Sequence, residues 1–124
     1  MNRSEAIAIV RQRGRSSVTP SSFHFANVNV AKDVWWLDIP VMKLDKSGDS
    51  NIGLLLYDGN PGHLYVLEVP KSYFNEHLRD LVVRTEKGCI SLELSTERSK
   101  MFRDVRPTGG GVSFGQFLTD TISC

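Results

Sequence analysis

Asp58, Glu68 and Lys71 form the combination of residues in this sequence that is best suited to catalysis. Carboxylates serve as general acids or bases and as ligands for cations, and a lysine amine can orient a reacting group. Glu68 and Lys71 stand three positions apart with Pro70 between them. Because strand side chains alternate with a period of two, this spacing predicts that the two side chains diverge unless a bulge realigns them.

The segment Asp58…Glu68-Val-Pro-Lys71 resembles the motif of the PD-(D/E)xK nuclease superfamily. The resemblance covers residues 58 to 71 and implies a nuclease in which Asp58 and Glu68 bind a divalent metal ion and Lys71 positions the attacking water. The family places its lysine two positions after the carboxylate, whereas the spacing here is three. A metal-dependent nuclease, or another phosphodiester-directed enzyme, is therefore the alternative function, and it requires both carboxylates to converge on one ion.

No other pattern predicts a metal or a cofactor. The three histidines fall in different predicted elements without paired ligand spacing, and neither cysteine lies at zinc spacing from a histidine or the other cysteine. Cys89 and Cys124 do not form a disulfide framework, which favours a reducing cytoplasm. We expect no cofactor and no metal site.

Two clusters of basic residues could contact phosphates if the ends of the chain lie together, and they give the second alternative, a nucleic-acid-binding protein. Fifteen basic against fourteen acidic residues leave a net charge of only +1, without the basic excess typical of nucleic-acid-binding proteins. The residues predicted for this patch are Arg11, Arg13, Arg15, Arg98, Arg103 and Arg106.

The pair Trp35-Trp36 is the strongest indication of a binding surface. Neighbouring residues of a strand point to opposite faces, so only one of the two indoles can enter a given core. The predicted faces group Trp35 with Leu37 and Ile39 in the core, which leaves Trp36 to be covered by a helix, by a partner subunit or by a ligand. We expect Trp35, Trp36 and Tyr73 to include the ligand or interface residues, and a homodimer is the favoured partner.

The apolar pattern and turn residues predict a single α+β domain over residues 1–124. We expect a mostly antiparallel sheet of about six strands, in which the segment Asp58-Gly-Asn-Pro-Gly62 turns the central pair and the run Leu54–Tyr57 is buried on both faces. The predicted hairpins span 23–39, 52–69 and 81–95. Short helices are predicted near 4–13, 70–80 and 96–103, with a C-terminal turn.

These observations favour a small accessory protein of bacterial type that works by binding rather than catalysis, as a cytoplasmic homodimer. No stretch approaches the ~20 apolar residues that cross a bilayer, and the first residues lack the features of a signal peptide, so we expect no membrane partner.

Overall fold

The computed structural model describes residues 1–14, 18–45, 50–106 and 111–124. These residues form a seven-stranded sheet with two α-helices, consistent with the predicted α+β class. The helices are α1 (Arg3–Arg13) and α2 (Lys71–Glu76). The strands are β1 (Phe23–Asn29), β2 (Val34–Pro40), β3 (Asn51–Asp58), β4 (His63–Pro70), β5 (Val82–Arg84), β6 (Cys89–Ser95) and β7 (Leu118–Ser123).

The strand order is β5-β6-β2-β1-β3-β4-β7. The three predicted hairpins are present as the antiparallel pairs β1–β2, β3–β4 and β5–β6. The pairing that joins the two halves differs from the expected pattern, because β1 lies parallel to β3, with Phe23 opposite Gly53 and Asn27 opposite Tyr57. The sheet is therefore mixed, although its other pairs are antiparallel.

The C-terminal segment is a seventh strand, where the sequence predicted a final turn. A short 3-10 turn does form at Gly115–Phe117, but β7 follows it and pairs with β4. The predicted helix at 96–103 is reduced to a 3-10 turn at Arg98–Lys100, since the residues after it return to β6 through a bridge from Asp104 to Leu94. The predicted helix at 70–80 is α2 followed by a 3-10 turn at Leu78–Asp80.

The central hairpin is buried on both faces, as its apolar runs predict. On the face beneath α1, which we call the α1 face, Leu55, Leu64 and Val66 pack against Ala6 and its neighbours in the helix. On the other side, the α2 face, alternate residues of the same strands join a larger cluster that includes Trp35, Phe74, Phe102 and Phe114. One sheet thus separates two hydrophobic cores.

Capping residues fix the ends of helix α1, and one apolar side attaches it to the sheet. The Asn2 side chain accepts a hydrogen bond from the Glu5 amide at 2.9 Å, and Gly14 ends the helix at a φ of 65°. Ala6, Ile7 and Val10 are its buried residues. The core beneath α1 contains no residue of β2, β5 or β6, so the helix covers only the half of the α1 face formed by β1, β3, β4 and β7.

Candidate functional site

The half of the α1 face that α1 does not cover carries the exposed tryptophan. Strand register places Trp36 opposite Glu93 and Asp38 opposite Ser91, so these side chains point to the same side of β2 and β6. Arg84 of β5 and Lys32 of the β1–β2 turn complete the group. We call Lys32, Trp36, Asp38, Arg84, Ser91 and Glu93 the open half-face.

Trp36 is fixed at the centre of the open half-face and is 44% exposed. Its Nε1 donates a hydrogen bond to the Ser91 hydroxyl at 3.1 Å, which anchors the indole across the strand pair. The ammonium of Lys32 lies 5.9 Å and the guanidinium of Arg84 5.8 Å from the ring centroid, both within the range of cation–π attraction. The ring is therefore held in position while almost half of its residue remains accessible.

Glu93 organises the charges beside the ring. Its carboxylate accepts a hydrogen bond from Arg106 Nε at 2.7 Å and pairs with Lys32 Nζ at 3.2 Å, so the pKa of Glu93 is lowered, chiefly by the Arg106 hydrogen bond. Arg106 was predicted to contact phosphate, but the structure engages its guanidinium with Glu93. Asp38 is exposed and makes no ion pair within the described parts of the chain.

Behind this network, Asp104 is only 1% exposed. Its Oδ1 accepts the Arg106 amide hydrogen at 3.0 Å, while its Oδ2 has no hydrogen-bond partner within the described residues. Burial raises the pKa of this carboxyl group. Asp104 supports the backbone that carries Arg106 and does not reach the accessible surface.

Trp35 lies in the core of the α2 face, as the alternation predicts. It is fully buried, its ring stacks on Phe102 with centroids 5.5 Å apart, and it meets the edge of Tyr65 at 5.6 Å. Its Nε1 donates to the Tyr57 carbonyl at 3.1 Å. Of the two indoles, only Trp36 is accessible to a partner.

Tyr73 lies on the α2 face, away from the open half-face. Its hydroxyl donates to the Ser113 carbonyl at 2.6 Å, and its ring packs on His77 and Phe117 at centroid distances of 4.2 and 4.7 Å. Burial is the main reason that the pKa of Tyr73 is raised. These contacts attach α2 to the C-terminal segment, and the structure does not bring Tyr73 together with either tryptophan.

The candidate catalytic residues do not converge. Asp58 pairs with His63 at one end of the β3–β4 hairpin, whereas Glu68 pairs with Gly53, five residues along β3. Five residues of strand span about 16 Å, and their odd separation puts the two carboxylates on opposite faces of the sheet. Lys71 donates to the Asp45 carbonyl at 3.0 Å. Within the described residues, no group of three or more His, Cys, Asp or Glu side chains could hold a metal ion.

The basic residues do not form one patch either. Arg11 and Arg13 lie on α1, while Arg98 and Arg103 lie in the segment that contains Phe102, which packs into the core of the opposite face. Arg13 is bound to Asp120, with its Nε 3.1 Å from Oδ2. Arg15, which was predicted to belong to the same patch, lies outside the described residues.

The alternation along β2 and β6 was sufficient to place Trp36, Ser91 and Glu93 on the side of the sheet opposite the core that contains Trp35, although Ser91 itself is buried. The positions of Lys32 and Arg84 could not be predicted from the sequence. They depend on how β5 and the β1–β2 turn are placed relative to Trp36, and this follows from the pairing of β2 with β6 and of β6 with β5. No local pattern signals that placement.

Within the described residues, no helix combines the length and apolar character that crossing a membrane requires. Comparisons of the chain with protein families, with curated proteins and with solved structures find no match.

Proposed function

We propose that this protein is a non-enzymatic binding module that self-associates through the open half-face. The observation that carries the proposal is Trp36, a residue that is 44% exposed although three side chains hold its ring, on a sheet surface that α1 leaves uncovered. Tryptophan is enriched among the residues that contribute most to interfaces, because a large rigid ring buries much area at small entropic cost. An indole that is already fixed loses little further freedom on binding.

A second copy of the chain is the partner that suits the charges of this surface. In a two-fold symmetric contact the same patch occurs on both sides, so it must be complementary to itself. The open half-face carries both signs, with the cations of Lys32 and Arg84 near the indole and the carboxylates of Asp38 on β2 and Glu93 on β6. A patch with one sign of charge would repel its copy, whereas a mixed patch can place unlike charges opposite each other.

The size of the surface sets the strength of the expected contact. Two strands of seven residues and one of three, spaced about 4.8 Å apart, present a footprint of roughly 270 Å². Stable complexes bury about 800 Å² on each partner, so this face alone supports a weak association, with a dissociation constant in the micromolar range or higher. The dimer should therefore form in a concentration-dependent manner.

Sedimentation velocity over a concentration series from about 10 µM to 1 mM tests the proposal. Wild-type protein should show a rising sedimentation coefficient, and Trp36→Ala should remain monomeric while retaining the wild-type circular dichroism spectrum. Met42→Ala is the matched control, because Met42 is 80% exposed but lies outside the open half-face. A wild-type protein that stays monomeric throughout, or a Trp36→Ala variant that associates like the wild type, would refute self-association.

The cations beside the indole favour one second candidate, single-stranded nucleic acid. A base could stack on the accessible part of Trp36 while Lys32 and Arg84 contact phosphates, which is how aromatic platforms hold single strands without sequence preference. Titration with a short oligothymidine separates the candidates. Binding that weakens with salt and is lost in Trp36→Ala would favour nucleic acid over a second copy.

The free thiols support a cytoplasmic setting for this module. Cys89 and Cys124 are both free, and Cys124 is exposed. An exposed thiol persists more readily in a reducing compartment than in an oxidising one.

A further inference from the structure

Among the described residues the sheet ends at two edge strands, and the outer edge of β7 is the longer of the two. The strand order leaves β5 and β7 at the ends, and β5 has three residues whereas β7 has six. An edge strand presents unpaired N–H and C=O groups that can recruit a strand from another chain, so proteins protect long edges. The segment Leu118–Ser123 contains no lysine or proline, and Asp120 is its one charged residue.

The backbone pairing of β7 shows which groups point outward. The Cys124 amide donates to the Gly62 carbonyl at 2.8 Å, so the strand faces β4 at Cys124 and at every second residue before it. Thr121, which lies between two such positions, therefore directs its amide away from β4, toward the free edge. This amide is available in principle to an added strand.

The Asp120 carboxylate is hydrogen-bonded to the outward amide of Thr121. Its Oδ1 accepts the Thr121 N–H at 2.9 Å. Arg13, in the last turn of α1, donates two hydrogen bonds to the same carboxylate, with Nη2 3.2 Å from Oδ1 and Nε 3.1 Å from Oδ2. The guanidinium thus holds the carboxylate in the orientation that caps the edge. A register shift in the β4–β7 pair between Val66 and Leu67 further interrupts the regularity of the strand.

We propose that the outer edge of β7 is a latent docking edge for β7 of a second copy, which the Arg13–Asp120 pair keeps closed. Two β7 strands can pair antiparallel about a two-fold axis. Once the Asp120 carboxylate is removed, the β7 edge carries no charge and can pair with the same edge of a second copy. The side chains of Leu118, Thr119 and Thr121 are exposed and would not oppose this pairing. Closure of the edge leaves the open half-face as the surface for association of the native protein.

The test uses the Trp36→Ala background, so that association through the open half-face does not contribute. In that background Asp120→Ala should sediment as concentration-dependent dimers or larger species, whereas Glu86→Ala, which removes an exposed turn carboxylate, should remain monomeric. Adding Thr121→Pro to Asp120→Ala should restore the monomer, because proline removes the outward N–H and is tolerated on edge strands. Asp120→Ala protein that sediments like Glu86→Ala, or association that survives Thr121→Pro, would overturn the proposal.

Amide hydrogen exchange in the unmutated protein gives a second measurement that does not depend on the folding of a variant. In the unmutated protein, the Thr121 amide should exchange at least tenfold more slowly than the Ser123 amide on the same edge. As a separate experiment, Arg13→Ala should reduce this difference. Equal exchange at the two positions would show that Asp120 does not cap the edge, whatever the outcome for Trp36.

Discussion

Replacing Trp35 by alanine should cost much more stability than replacing Trp36, although the two residues are adjacent and identical in type. Trp35 is fully buried between Phe102 and Tyr65. Removing a buried tryptophan costs about 3–5 kcal/mol, since the cavity only partly collapses. The Tyr57 carbonyl also loses its indole donor, which adds about 1 kcal/mol. We expect Trp35→Ala to lose about 4–6 kcal/mol of unfolding free energy, a large share of the roughly 5–15 kcal/mol that stabilises a domain.

Trp36→Ala removes two cation–π contacts at a partly exposed position, each contributing about 0.5–1 kcal/mol, and the hydrogen bond to Ser91, which contributes about 1 kcal/mol. The expected loss is therefore about 2–3 kcal/mol, roughly 2–3 kcal/mol less than at Trp35. Trp35→Phe should fall between the two alanine variants, because it keeps most of the buried ring but not the N–H group. This third variant separates packing from hydrogen bonding.

Urea unfolding followed by far-ultraviolet circular dichroism measures these differences independently of tryptophan fluorescence. The slope of the unfolding free energy against urea should be the same for the wild type and the three variants, so that the midpoints report stability alone. Equal losses for Trp35→Ala and Trp36→Ala would refute the assignment of the two indoles to core and surface. A loss below about 2 kcal/mol for Trp35→Ala would refute the packing argument itself.

Two further predictions concern His24 and Gly53. Burial, with smaller effects of Lys43 and Arg3, lowers the pKa of His24 to about 4. The unfolded chain then binds a proton between pH 6.5 and about 4 that the folded chain does not, so stability should fall by up to about 3 kcal/mol as the pH drops through this window. Urea unfolding at a series of pH values should show a flatter profile for His24→Gln, and an unchanged profile would contradict the assignment. A Cβ at Gly53 would collide with the buried Phe23 ring, so Gly53→Ala should lose about 1–3 kcal/mol in the same assay, with partial recovery in Gly53→Ala/Phe23→Leu. No recovery in the double variant would contradict that collision.

Sequence reasoning succeeded where the evidence was local. Each hairpin has a turn between two strands that are close in the chain, and Leu54 and Leu55 are apolar in succession because both faces of β3 are buried. The opposite fates of Trp35 and Trp36 follow from alternation alone. These features need no knowledge of how the hairpins assemble.

The seventh strand and the parallel pair could not be predicted in the same way. Leu118–Ser123 has only one buried residue, Ile122, so its sequence shows no strand periodicity and its conformation depends on pairing with β4. The parallel alignment of β1 with β3 places the Phe23 ring over Gly53, a contact between segments separated by β2 and the residues that follow it. The ion pair from Arg13 to Asp120 joins residues near the two ends of the chain and has no local signature.

The difference between the two halves of the α1 face follows from the dimensions of the elements. A helix of eleven residues is about 16 Å long and about 10 Å wide, whereas seven strands spaced about 4.8 Å apart span roughly 30 Å. One such helix can cover only part of this width, and its buried residues direct it to the strands nearest β3 and β4. On the strands that the helix does not reach, the outward side chains must be polar or be covered by a partner molecule. On this side of β2 and β6, Asp38, Ser91, Glu93 and Ser95 are polar and the apolar Val34 is buried, so Trp36 is the large apolar side chain that stays exposed. Polarity does not explain it, because a lysine or threonine there would keep the surface hydrated without an exposed indole.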